Sequence, residues 1–472
     1  METKAKRPPS AAALDAIRAA VGAKGLIEGA DRAPLLTEWR SRWPGEAALI
    51  VAPASTGEVA KVAAICADHE IAITPQGGNT GLVGGQIPSG PEVLLTLRRM
   101  RTIRAVSPLD NTMTVDAGVT LAEAQDAARA ADRLFPLSIG SEGTCQIGGV
   151  ISTNAGGVNV VRYGNMRDLV LGLEAVLPDG RIWSGLKRLR KDNTGYDLKQ
   201  LFIGGEGTLG IVTGAVLKLF PRPRETVTVF AGLPSSEAAV ALLSHAQSAT
   251  GGLVSSFELM SRYCLDIVLR HIPDTRDPLS ASHPWYVLAE FSSSGGGLRA
   301  AVENLFEQAF EKRQVVDAAF ADSDKQARDF WRIRHSMAAA LLGEGIGVRH
   351  DVSVAVEDIP AFLEKAGQVV TRMAPGARIA AFGHIGDGNI HYDLTPAPGG
   401  DPADLAARRD DIENAVYDVI ESFNGSISAE HGIGVHKREA LAERKSAVEL
   451  DMMRRIKAAL DPKGLMNPGK LL

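Results

Sequence analysis

GSEGTCQIGGVISTNAGGVNVVRYGNMRDLVLGLEAVLPDGRIW, residues 140 to 183, carries two Gly-Gly pairs, Gly148–Gly149 and Gly156–Gly157, around the polar run Ser152, Thr153, Asn154. Glycines in this pattern mark backbone that turns tightly or approaches something closely. A β-rich run follows and ends in Pro178-Asp179-Gly180, which reads as a hairpin turn. Two flanking segments have the same character. GGEGTLG (204 to 210) feeds the β-branched run IVTGAVLKLF, and TPQGGNTGLVGGQ (74 to 86) follows a strand-like segment. Consecutive N–H groups in the latter can form a nest for a phosphate, or the segment is a surface loop. It is neither a GxGxxG that opens a helix nor a GxxxxGK[ST], which argues against nicotinamide-type Rossmann and P-loop folds.

Outward from these segments the chain alternates. ALIVAP reads as a strand, STGEVAKVAAICADHE as a helix with a capping box from Ser55 to Glu58, and IAITP as the next strand, together a βαβ unit. Strands are expected at 93 to 97 and 112 to 118, and a helix at TLAEAQDAARAAD. PRPRE (221 to 225) breaks the pattern, and longer helical periodicities follow near 235 to 248, 298 to 313, 324 to 342, 357 to 372 and 402 to 423. At 472 residues a single core is too small a description. The reading divides the chain into an N-terminal helical segment (1 to 40), a domain from 41 to 225, a second from 226 to 455, and a C-terminal segment from 456 to 472.

Composition removes several function classes. A net charge of -5 from 51 basic and 56 acidic residues argues against nucleic-acid binding. Cys66, Cys145 and Cys264 lie far apart without CxxC spacing, so they build neither a disulfide framework nor an iron–sulfur site. No run approaches the ~18 apolar residues of a membrane span. A soluble, cytoplasmic protein is expected.

The glycine-rich block, with PQGGNTGL before it and GGEGTLGIVT after, resembles the FAD-binding domain of the vanillyl-alcohol oxidase / p-cresol methylhydroxylase superfamily. FWRIR, HDVSVAV, FGHIGDGNIHYDL, AEHGIGVHKR and DPKGLMNPGKLL extend the resemblance to the FAD-linked D-2-hydroxyacid dehydrogenases, from about residue 40 to the C-terminus. The resemblance implies an α+β fold: a two-part FAD-binding domain of the p-cresol methylhydroxylase type, plus a cap (substrate) domain with an antiparallel sheet flanked by helices. It places Pro75, Gly77, Gly78, Asn79, Thr80, Gly81 and Leu82 along FAD, the last six on its phosphates. Ser138, Gly140, Ser141, Thr144, Gly148, Gly149, Thr153, Asn154, Gly156, Gly157, Glu206, Gly207, Ile211 and Asn467 fall elsewhere on the cofactor. Some relatives attach FAD through a histidine in the first glycine loop; Asn79 stands there, so a non-covalent flavin is expected.

FGHIGDGNIHYDL (382 to 394) holds two histidines around Gly386-Asp387-Gly388. If Asp387-Gly388 is a two-residue hairpin turn, His384 stands opposite His391, and the pair can share an ion or merely be cross-strand neighbours. SISAEHGIGVHKR reads as a short strand that delivers Glu430 and His431 into a glycine-rich turn, which adds a third ligand and a base. By resemblance His384, His391 and Glu430 bind a divalent metal, zinc or manganese, and His431 contacts substrate as the catalytic base. Arg334, on the helix FWRIRHSM, is implied as the partner of the substrate carboxylate, with Arg349 and Asp393 as further substrate-binding residues. His436 reads as structural.

The expected reaction is FAD-dependent, metal-assisted oxidation of a D-2-hydroxy acid to the 2-oxo acid, hydride passing to flavin N5, with D-2-hydroxyglutarate ranked above D-lactate. Asp393, where relatives often carry asparagine, weighs against a dicarboxylate. Alternatives are a D-lactate dehydrogenase or glycolate oxidase subunit-like protein, a non-redox flavin- or metal-binding protein, and a flavin-dependent alkyl transferase. The resemblance also implies a homodimer and a downstream electron acceptor: electron-transfer flavoprotein, quinone or cytochrome.

Overall fold

A computed structural model describes residues 8–38, 40–345 and 347–472. The start of the N-terminal segment, residues 1 to 7, lies outside the described residues. The chain forms two compact units, one of Met1–Gly156, Asn165–Arg222 and His431–Leu472, the other of Gly157–Gly164 and Pro223–Glu430.

In the first unit β1 (Leu49–Val51), β2 (Ile73–Gln76) and β3 (Val93–Thr96) form a parallel sheet with β3 in the middle. The helix Thr56–Asp68 crosses between β1 and β2 and buries Val59, Val62, Ala63 and Cys66. Its capping box is half made. Ser55 Oγ accepts from the Glu58 N–H at 3.2 Å, but the Glu58 carboxylate reaches back to the Ala54 N–H at 2.8 Å, one residue beyond the cap. The helix Leu121–Ala130, by contrast, carries a full box from Thr120 and Glu123.

A second sheet, antiparallel, has the order β4 (Ile103–Ser107), β5 (Thr112–Asp116), β9 (Ile211–Lys218), β7 (Val170–Val176), β8 (Ile182–Gly185). Arg133–Leu134 (β6) and Phe220–Pro221 (β10) form a short ribbon. The Pro178-Asp179-Gly180 turn closes β7 on β8 through the Gly180 N–H to Leu177 carbonyl bond of 2.9 Å. The C-terminus returns to β2: the Asn467 N–H donates to the Ile73 carbonyl at 2.7 Å. Lys457 ties the preceding helix, Ala447–Leu460, to the carbonyls of Thr208 and Met466.

The second unit is built on a seven-stranded antiparallel sheet among the described residues. Its strands are β11 (Glu225–Leu233), β12 (Val254–Ser261), β13 (Trp285–Ser293), β14 (Asp317–Phe320), β15 (Val348–Ser353), β16 (Arg378–Gly383) and β17 (Asn389–Thr395). They run in the order β14-β11-β13-β12-β16-β17-β15. Phe230, Met260, Tyr286 and Phe382 from the sheet pack with Phe330, Ile333 and Met337 from the helices. The expected helical periodicities appear as Ser236–Thr250, Leu298–Glu311, Asp324–His335, Met337–Gly343, Ile359–Met373 and Arg409–Glu421. No helix among the described residues is long and apolar enough to cross a membrane.

Candidate functional site

The hairpin β16–β17 differs from its sequence reading. His391 is paired with Phe382, so His384 is not directly opposite it. The turn is longer than two residues: Ile385–Asp387 form a 3-10 turn, Gly388 closes it at φ 85°, and Asp387 Oδ1 accepts from the Asn389 N–H. Pairing across the hairpin therefore stops at Phe382, and His384 follows the last residue of β16 as the residue that starts the turn. The two rings still approach, with centroids 5.7 Å apart at 75°.

Glu430 brings them together. Its Oε1 lies 3.3 Å from His384 Nε2 and its Oε2 3.9 Å from His391 Nε2. The expected strand before Glu430 is absent; Ser426 makes one bridge to Ser353 of β15, and the chain then bends. Asp351 of β15 orders this bend by accepting from the Glu430 N–H at 3.0 Å and from Asn389 Nδ2 at 2.9 Å.

Beneath the histidines lies Glu258 of β12, fully buried. Its Oε1 accepts from His384 Nδ1 at 2.7 Å and its Oε2 from Arg334 Nε at 2.6 Å. Arg334 is buried on the inner side of the helix Asp324–His335, with its guanidinium 5.2 Å over the Phe382 ring. Arg332 points outward to the Pro273 carbonyl. Among the described residues the Arg334 Nη atoms make no hydrogen bond to protein, which leaves the fork open to a carboxylate.

This arrangement favours a positive charge between the histidines and Glu430. Burial alone would lower the His384 pKa, but the carboxylates of Glu258 and Glu430 outweigh it and push the ring up to about 10. Burial would raise Glu258, yet the charges of His384 and Arg334 hold it down at about 2. His391, whose burial outweighs the nearby carboxylates, is lowered to about 4 and is a neutral imidazole. Glu430 is lowered against its own burial by the charge and hydrogen bond of His384.

The donor atoms of His384, His391 and Glu430 lie within 4.8 Å of one another. Two ligands at ~2.1 Å from a tetrahedral ion stand ~3.4 Å apart, so the 3.3 and 3.9 Å separations need little adjustment. The set fits a divalent cation, and the Glu258 contact to the other nitrogen of His384 is what a metal-bound imidazole requires. Glu258, Asp351 and Asn389 were not found from the sequence. A carboxylate inside the apolar run FELM of a buried strand is the signal that would have flagged Glu258.

Arg349 faces Asp393 across β15 and β17. Asp393 is buried, and its Oδ1 accepts from the His350 N–H at 3.2 Å. His431 follows Glu430 in the chain and opens the last segment of the first unit. The turn after it, with Gly432 at φ 79° and Gly434 at φ 51°, is held by Glu206, whose two oxygens each accept at 2.7 Å from the N–H groups of Ile433 and Gly434. The His436 ring lies 5.9 Å from that of Trp43, tilted by 56°.

Several residues expected along a cofactor have structural partners in the first unit. Asn79 Nδ2 donates to the carbonyls of Pro34 and Thr37, Asn154 Oδ1 accepts from the Arg167 N–H, and Asn467 Nδ2 donates to the carbonyls of Gly85 and Glu206. Gly78 packs so closely on the second glycine block that a Cβ would stand 1.9 Å from the Thr144 carbonyl oxygen. The two glycine segments thus meet, as one ligand cradle requires. Cβ atoms at Gly140, Gly143 and Gly149 would touch nothing within 4 Å, and the side-chain oxygens of Asn79 and Gln146 are buried without partners. An open glycine face beside free acceptors fits a dinucleotide. Gly157 belongs to the short segment of the second unit.

Two family models match: the FAD binding domain over residues 47–185 and the C-terminal domain of the FAD linked oxidases over residues 222–471. The chain belongs to the FAD-linked oxidases. This oxidase is 38% identical to a D-2-hydroxyglutarate–pyruvate transhydrogenase of Saccharomyces cerevisiae, over 92% of this chain and 88% of the relative. It is 36% identical to the D-2-hydroxyglutarate dehydrogenase of Xanthomonas citri pv. viticola, over 92% and 91%. A mitochondrial D-2-hydroxyglutarate dehydrogenase of Arabidopsis thaliana is also 36% identical, over 96% and 80%. The present chain shares its fold with p-cresol methylhydroxylase at a TM-score of 0.74 and 17% identity, over 98% and 96% of the two chains. The α+β architecture expected from the glycine-rich block is the observed one.

Proposed function

We propose that this FAD-linked oxidase converts a D-2-hydroxy acid to the 2-oxo acid, with D-2-hydroxyglutarate the favoured substrate. The names of the relatives that match most of this chain support the substrate class. The observation that carries the site is the convergence of His384, His391 and Glu430 beside an Arg334 fork with open Nη atoms. A hydroxy acid presents a hydroxyl and a carboxylate on adjacent carbons, and these two groups of side chains are the matching receptors.

FAD would supply the hydride acceptor, and His384, His391 and Glu430 would hold a zinc or manganese ion that would make a hydroxyl more acidic. The side chains do the rest. Arg334 pairs with the C1 carboxylate and fixes the orientation of C2. His431 accepts the hydroxyl proton as the C2–H bond yields its electron pair and the C2–O bond becomes a carbonyl. Arg349 offers a second positive charge for a distal carboxylate. Asn79, in place of a histidine, supports a non-covalent flavin.

Asp393 favours a second reading. Its buried carboxylate opposite Arg349 opposes a distal carboxylate and suits D-lactate or another monocarboxylate. Anaerobic mixing of the flavin-loaded protein with a panel of D-2-hydroxy acids separates these readings. Bleaching by dicarboxylates ranks D-2-hydroxyglutarate first; bleaching by monocarboxylates alone reverses the order; no bleaching at all favours a non-redox flavin or metal protein. A bound flavin would need a downstream electron acceptor, an electron-transfer flavoprotein, a quinone or a cytochrome, and we place the protein as a homodimer in the cytoplasm, where three buried free thiols are compatible with a reducing compartment.

A further inference from the structure

We infer that Glu258 is a positioning residue that sets the substrate-binding arginine and the metal-binding histidine through one carboxylate. This inference rests on the proposed reading of the site and deepens it. Glu258 lies on β12, an interior strand of the sheet between β13 and β16, and its side chain is fully buried. Its two oxygens divide their work: Oε1 takes the Nδ1 proton of His384 at 2.7 Å, and Oε2 takes the Nε proton of Arg334 at 2.6 Å.

Each bond fixes something the chemistry needs. With Nδ1 committed to Glu258, His384 turns Nε2 toward Glu430, where the ligand atoms gather. With Nε committed to the same carboxylate, the Arg334 fork has its Nη atoms left for a ligand, and the Phe382 ring beneath the guanidinium supports its plane. A buried carboxylate flanked by two positive donors has both lone-pair sets engaged, which makes its position well defined. The carboxamide of glutamine cannot do this, because it accepts on one side only and presents N–H groups to a donor on the other.

The helix that carries Arg334 is held to the sheet by a second, partly buried carboxylate one strand over. Glu290 of β13 accepts from Trp331 Nε1 at 2.8 Å, three residues before Arg334 on the same helix. That bond docks the helix independently of Glu258, so loss of the Glu258 charge removes orientation from Arg334 without freeing the helix.

The test compares wild type with Glu258→Gln and Glu258→Asp, as flavin-loaded protein, in three measurements. Zinc affinity is read by competition with a chelating dye in the absence of substrate. KM and kcat for D-2-hydroxyglutarate are measured at saturating zinc. Flavin content and unfolding temperature report on the fold. Glu258→Gln is expected to weaken zinc binding by about 10- to 100-fold and to raise KM by roughly tenfold through the loosened Arg334. Glu258→Asp, which keeps both acceptors on a shorter stem, is expected to recover part of each loss, and it serves as the folded variant if the amide proves unstable. Wild-type zinc affinity and wild-type KM in either folded variant overturn the inference. If wild type itself binds no zinc at the site, or a His384→Ala variant binds as well as wild type, the metal reading has failed instead.

Discussion

His384 Nε2 and Glu430 Oε1 stand 3.3 Å apart although the residues come from separate segments of the second unit, one from a hairpin turn and one from an irregular bend. Neither segment is held there by regular pairing. Asp351 and Glu258 supply the fixing contacts, by way of the Glu430 N–H and His384 Nδ1.

Removal of either imidazole therefore tests the metal reading directly. His384→Ala and His391→Ala are expected to lose a bound equivalent of zinc or manganese and to lower kcat by about 100-fold or more, since the hydroxyl then lacks its activating cation. Flavin content should be unchanged, because the glycine segments proposed to hold the cofactor, residues 77 to 82 and 140 to 156, lie in the first unit. Metal analysis and the flavin absorbance of the purified variants check both points; full activity in a metal-free variant contradicts the reading.

The hairpin turn makes a stability prediction. Gly388 adopts φ 85°, and a Cβ there would stand 2.2 Å from the Val354 carbonyl oxygen. Gly388→Ala combines left-handed strain with a backbone clash and is expected to cost about 2–4 kcal/mol. Denaturant unfolding measures it, and zinc affinity should fall in parallel because His384 begins this turn.

Asp393→Asn removes a buried charge while it keeps an acceptor for the His350 N–H. Relief of repulsion toward a distal carboxylate is expected to shift the kcat/KM ratio of D-2-hydroxyglutarate over D-lactate upward by about tenfold. An unchanged ratio would place the distal carboxylate away from Asp393.

Glu344 predicts an acid sensitivity outside the site. Its burial would raise the carboxyl pKa, but hydrogen bonds from His271, Arg270 and Arg378 outweigh this and hold it at about 2. A folded-state pKa below the unfolded one gives stability that is present above about pH 4.5 and is lost as the pH falls toward 2. Glu344→Gln is expected to be less stable than wild type by about 1–3 kcal/mol at pH 7, with the difference shrinking as the pH falls from about 4.5 toward 2 in unfolding titrations.

What the sequence disclosed follows from what each signal encodes. Periodic apolar positions identify the helix Thr56–Asp68, because burial of one face is written into spacing, and a β-branched run identifies Ile211–Lys218, which is buried almost throughout. The register of β16 on β17 is not written there. It depends on whether Gly388 or Asp387-Gly388 together make the turn, and the 3-10 conformation of Ile385–Asp387 decides it. The ligand candidates His384, His391 and Glu430 were legible as motif residues, yet their shared geometry comes from Glu258, distant in sequence and hidden inside an apolar strand. The passage of Gly157–Gly164 into the second unit was equally silent, since the helical turn Val160–Tyr163 is anchored by tertiary bonds: Arg162 to Ser292 Oγ at 2.7 Å, and Ser256 Oγ to Asn159 Oδ1 at 2.9 Å.

Rapid anaerobic mixing with D-2-hydroxyglutarate and its L-enantiomer tests metal-assisted oxidation of a D-2-hydroxy acid by the flavin. Zinc-loaded protein should bleach its flavin with the D-enantiomer only, slow by about 100-fold after chelation, and recover when zinc is returned. A flavin that stays oxidised with every D-2-hydroxy acid in metal-replete protein, or that bleaches at the same rate after chelation, would contradict the account.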